Sequence, residues 1–193
     1  MSPCKMPVLL FAILIPIFCF SQEPVKYIFS LEKPAGDSNL QYGNEKILFT
    51  FSFDETGINV QITNRDSKSI TLLWNDVNLF ENGNTERIIH EGVINTAFLN
   101  PIVIPPQSNL KDHIVPLKNA AYSAQYGWTF GNLLDKNYSH LGEQLSLYLA
   151  IASNEGKKTE YNFLFKIIRC EGCEQLKNND PVKAPRLHII KNQ

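Results

Sequence analysis

The sequence predicts an all-β fold, an antiparallel immunoglobulin-like sandwich of about seven to nine strands after a signal peptide. Three observations predict it. Apolar residues alternate with polar ones over most of the chain, turn residues recur at short intervals, and no long stretch has helical periodicity. Strand count alone does not separate a sandwich from a closed barrel, which is the second architecture considered.

The elements follow in order. Residues 6–20 are apolar, preceded by a single cation, Lys5, and the run is shorter than the ~20 residues a spanning helix needs. Pro16 breaks the run near its end, and Cys19-Phe20-Ser21 places small residues at −3 and −1, so cleavage is expected after Ser21. An uncleaved anchor and a lipoprotein acylated at Cys19 are the competing readings. Phe18 and Pro16 stand where a lipoprotein signal prefers a small residue and Leu. The expected organisation is a leader over 1–21, a β domain over 22–173 and a polar tail over 174–193.

In the β domain, Val25 to Leu31 reads as an edge strand or arm. Ile47, Phe49, Phe51 and Phe53 alternate with Leu48, Thr50 and Ser52; after Asp54-Glu55-Thr56-Gly57, Ile58, Val60 and Ile62 alternate again. These two runs form a hairpin with one wet face. Ile70, Leu72 and Trp74 continue the pattern and place Trp74 in the core. Asn82-Gly83 signals a tight turn, with Thr85 to Ile89 returning from it. Gly92 to Asn100 has no clear pattern. Ile102-Val103-Ile104 stops at Pro105-Pro106, and Leu110 to Val115 is a further short strand. Leu145 to Ile151 and Tyr161 to Ile167, joined by Asn154-Glu155-Gly156, make a second firm hairpin. Leu117 to Gly142 is long and alternates little, and Leu187, Ile189 and Ile190 offer one last short strand.

About 170 residues remain after the leader, enough for one domain with a real core. Loss of Lys5 takes the formal charge from −1 to −2, and no basic block exists, so nothing calls for nucleic acid. Cys170 and Cys173 form a C-x-x-C pair. The βαβ setting of a redox site and the further ligands of a zinc site are both missing. The expected state is a local disulfide in an oxidising compartment, closing a loop too small to add much stability.

Chemistry is sparsely signalled. His90, His113, His140 and His188 show no metal-binding spacing, and Ile94 occupies the position where a zincin pattern begun at His90-Glu91 needs its second His. They are expected at the surface or at strand ends. Gly36-Asp37-Ser38 shares the G-D-S start of one esterase family, but the Asp-x-x-His that family also needs is absent, and these are ordinary turn residues. No catalytic residue, cofactor or metal site is expected. Tyr122, Tyr126, Trp128 and Phe130 lie among small residues, and Tyr126 and Trp128 are the candidate ligand-binding residues. The competing reading folds those rings over one end of the sandwich as a secondary core.

Residues 70–77 (Ile-Thr-Leu-Leu-Trp-Asn-Asp-Val), 87–93 (Arg-Ile-Ile-His-Glu-Gly-Val) and 104–106 (Ile-Pro-Pro) resemble a group of small uncharacterised bacterial envelope proteins, many of them predicted lipoproteins. The likeness spans about residues 45–168. It implies a bacterial envelope setting, and it carries no activity or catalytic residue. The expected function is a non-catalytic binding or accessory protein of the envelope, periplasm or exterior, with an unknown protein or glycan as partner. The alternatives are an envelope enzyme or metal-dependent protein with a site built from dispersed residues, and a redox role for Cys170 and Cys173.

Overall fold

A computed structural model describes residues 25–34, 39–81, 83–90, 100–137 and 139–173. Residues 1–24 with Cys19, the Gly36-Asp37-Ser38 stretch, residues 91–99, His188 and the residues beyond Cys173 lie outside the described residues, as does Asn82 of the Asn-Gly pair.

The described chain is all β apart from two short 3-10 turns, and every strand pairing is antiparallel. The first sheet runs in the order β1 (Lys26–Lys33), β14 (Lys158–Glu171), β13 (Gln144–Ser153), β5 (Ile70–Leu72) and β9 (Ile102–Ile104). Off this path, β6 (Asn78–Glu81) also pairs with β13, and β7 (Asn84–Glu86) pairs with β6. In the second sheet the order is β2 (Gln41–Gly43), β3 (Ile47–Phe53), β4 (Ile58–Asn64), β10 (Ser108–Pro116) and β8 (Ile88–His90). A separate two-stranded ribbon joins β11 (Ala120–Ser123) to β12 (Gly127–Phe130).

Alternation puts one face of each sheet inside. From the second sheet Ile47, Phe49, Phe51, Ile58, Val60, Ile62 and Ile114 are buried. They share one cluster with Leu145, Leu147, Leu149, Phe163, Phe165 and Ile167 of the first. Aromatic rings form its centre: Phe51 lies 4.7 Å from Phe163 and 5.1 Å from Phe165. Each fully buried ring contributes about 2–3 kcal/mol through the water-exposed area it loses. Two antiparallel sheets with a common core are consistent with a sandwich.

The described residues alone hold fourteen strand segments against the expected seven to nine, because long runs are broken. Trp74 is in the core, but it opens a 3-10 turn (Trp74–Asp76) rather than extending β5. The expected single strand over Thr85–Ile89 divides at Arg87: β7 belongs to the first sheet and β8 to the second. Ile88, Ile89 and His90 are all buried, which an alternating strand with one wet face does not allow.

Of the described histidines, His90 ends β8, in line with the strand-end expectation, but His90 and His140 are buried rather than at the surface. His90 is buried, stacked on Trp74 with ring centroids 4.1 Å apart, and its Nδ1 lies 2.9 Å from Asp112 Oδ2 without hydrogen-bond alignment. His140 is 2% exposed, with Nδ1 2.8 Å from Glu143 and Nε2 2.9 Å from the Asp135 carbonyl. His113 Nε2 lies 3.2 Å from Asp54. Each ring thus faces a carboxylate partner of its own, as a group with few routes to water requires.

Candidate functional site

One end of the molecule gathers the sequence-predicted site residues. The β3–β4 turn sets that end. Asp54 Oδ1 accepts hydrogen bonds from the Thr56 N–H (2.8 Å), the Gly57 N–H (2.9 Å) and the Thr56 hydroxyl (2.9 Å), and Oδ2 accepts from Asn59 (2.9 Å). Partial burial pushes the Asp54 carboxyl up, but these four donors outweigh it and hold the group at about 2. At the same end β1 begins beside the end of β14, where Lys26 pairs with Glu171 and Tyr27 with Cys170 in register.

Beyond β10, the turn Leu117–Asn119 leads into the ribbon. Lys118 fixes its base by bonding to Glu81 and, at 3.4 Å, to Glu86. Burial works against its charge, but the two carboxylates hold its ammonium above the ordinary lysine range. The Gly131 N–H donates to the Asn119 carbonyl at 2.7 Å, and Asn119 Nδ2 donates to the Asn132 carbonyl at 2.7 Å, closing the base. At the tip, Gly127 has φ +71°, the left-handed conformation that a three-residue hairpin loop needs, and the Tyr126 N–H donates to Ser123 Oγ at 3.1 Å.

Tyr122 is 62% exposed and Tyr126 74% exposed; Trp128 is half-buried and meets Tyr122 edge to face at 5.5 Å. The reading of these rings as a secondary core is therefore corrected for the two tyrosines. The ribbon pairs with neither sheet. From Asn119 to Leu134 the chain carries no charged side chain.

Below the ribbon's base the chain enters the sandwich end. The Leu133 N–H donates to the Glu55 carbonyl at 2.7 Å, and Lys136 Nζ bonds Glu55 at 2.9 Å. A cavity of about 260 Å³ opens here, lined by Val25, Tyr27, Phe29, Phe53, Leu133 and Leu134, with Lys26, Asp54, Glu55 and Lys136 at its polar positions. Phe29 and Phe53 stack at 3.7 Å along its wall. Phe53 is the residue of β3 that breaks the buried series of Ile47, Phe49 and Phe51, and the cavity is the reason. No local motif announces this site, since its walls come from three distant segments.

Cys170 and Cys173 are joined as a disulfide at the end of β14, with Gly172 between them at φ +74°. Tyr126, Trp128 and this disulfide thus lie on the same end as the cavity, as parts of separate structures. The chain matches no family model, no curated protein and no solved structure.

Proposed function

We propose that this chain is an exported, non-catalytic recognition domain that grips a protein surface in or outside the bacterial envelope through the β11–β12 ribbon. The observation that carries the reading is the pair of exposed tyrosines on a charge-free ribbon standing outside both sheets. Tyr, Ser, Gly, Gln and Asn are the residues of adaptable protein-binding loops. Tyrosine offers a large amphipathic contact with only two side-chain torsions to immobilise. Export rests on the leader over residues 1–21, with membrane attachment through Cys19 as its variant.

An immunoglobulin-like arrangement is part of the proposal. The order β3–β4–β10–β8 follows the A-B-E-D sheet of that fold and β14–β13–β5 follows its G-F-C sheet, with Trp74 buried at the end of the strand equivalent to C. Loops at the ends of such sandwiches commonly carry binding.

A photo-crosslinking residue in place of Tyr126 tests the function. We expect one specific protein adduct from this position and none from Asn162, on the exposed face of β14. Tyr122→Ser, a surface change that leaves the fold intact, weakens capture at least tenfold, the effect of losing one aromatic anchor. Equal adducts from both positions, capture insensitive to Tyr122, or adducts only to glycan refute the reading.

A further inference from the structure

The end cavity is separate from the ribbon's exposed rings and has its own chemistry. Its wall is apolar, from Phe29, Phe53, Leu133 and Leu134. An engineered apolar cavity of about 150 Å³ holds a six-carbon ring, so by proportion about 260 Å³ accommodates about ten carbons.

The charges at the mouth are unequal in their engagement. Asp54 is occupied by four donors, and Glu55 and Lys136 bond each other at 2.9 Å. Glu171, opposite Lys26 across β1 and β14, turns to Arg169 at 3.2 Å. Lys26 lines the cavity, is exposed, and has no ion-pair partner among the described residues. Among the described residues, a ligand's anionic group therefore finds a cation without displacing an existing partner, whereas a cationic group finds the carboxylates already satisfied.

We propose that this cavity binds a small amphiphile of about ten carbons with a single carboxylate head, its chain against Phe29, Phe53 and Leu133 and its head toward Lys26. The assignment is independent of what the ribbon grips.

Titration of the purified chain with decanoate, decanol and decyltrimethylammonium tests it, by calorimetry and by NMR shifts of the Leu133 and Leu134 methyl groups. Decanoate is expected to saturate at one per chain and to shift those methyls, with decyltrimethylammonium binding at least fivefold more weakly. Lys26→Glu weakens decanoate about fivefold, in keeping with an exposed ion pair, and leaves decanol unchanged. Because the three probes are compared on the unaltered chain, the result does not depend on the variant folding. Absence of saturable decanoate binding, equal binding of the two charged probes, or shifts confined to other residues overturns the proposal.

Discussion

Asn64 closes β4, is 0% exposed and ties the two sheets together. Its Nδ2 faces three carbonyl oxygens: Lys68 at 2.9 Å, Ile104 at 3.1 Å and Pro105 at 2.9 Å. Ile104 belongs to β9 of the opposite sheet, and Oδ1 accepts the Asp66 N–H at 3.0 Å. Asn64→Ala leaves the buried Ile104 carbonyl without this donor and weakens the satisfaction of two half-buried ones. One stranded buried acceptor costs about 1–3 kcal/mol and the lost neutral bonds add about 1, for a total near 3 kcal/mol. With a urea dependence of about 2 kcal/mol per molar, the unfolding midpoint falls by about 1.5 M. Buried Trp74 serves as the fluorescent probe. Asn64→Asp is the sharper perturbation, because it replaces the donating amide by a carboxylate facing three oxygens. The native state then prefers the protonated acid, which can still donate one bond, so the introduced group titrates above its unfolded value of about 3.9. Folded binding of the extra proton makes this variant most stable below that pH and less stable as pH rises. Its urea midpoint should therefore drop between pH 4 and pH 7 relative to Asn64→Ala. A loss below about 1 kcal/mol for alanine, or identical pH profiles for the two variants, refutes the clamp.

Two further outcomes follow from the β3–β4 turn. The Asp54 carboxyl lies at about 2 against an ordinary 3.8, so its stabilisation is present above 3.8 and disappears as pH falls toward 2. The side chain is 44% exposed, which reduces the effect to about 1 kcal/mol. Asp54→Asn should flatten the acid limb of the stability profile by that amount, measured by urea unfolding at pH 2 and pH 5; an unchanged limb contradicts it. At Gly57 an added Cβ would meet the Ile114 carbonyl oxygen at 2.3 Å and His113 Nε2 at 2.8 Å. Gly57→Ala should cost about 2–3 kcal/mol in denaturant unfolding, and a neutral result would mean that β10 yields there easily.

The two long hairpins were legible in the sequence because each has one dry and one wet face, which writes a period of two into the residues. Trp74 was legible as core but not as a turn. Its local backbone bonds, Asp76 N–H to Leu73 and Val77 N–H to Trp74, leave the side chain inside while interrupting the ladder. Arg87 gives no local sign that the chain changes sheets, since the preference depends on which edges lie open in space. Ribbon strands β11 and β12 escaped detection for a related reason: neither face packs on the core, so no apolar alternation is required of them. Tyr126 and Trp128 stood out as aromatic residues, whereas the cavity, drawn from residues 25–29, 53–55 and 133–136, had no local signature. Buried histidines carry no local pattern, because burial of a polar ring is decided by partners: Asp112, on another strand, for His90, and Glu143 with the Asp135 carbonyl for His140.

The position of β14 between β1 and β13 has a consequence for biogenesis. The earliest described strand finds its neighbour only when nearly the last one has emerged, so a nascent chain holds Phe29 and Leu31 without a lid until Phe163 and Phe165 arrive. Closure over so long a separation is slow and leaves sheet edges open to other chains meanwhile. A chain cut short before β14 thus lacks the partner of β1 and leaves that edge and its apolar face uncovered.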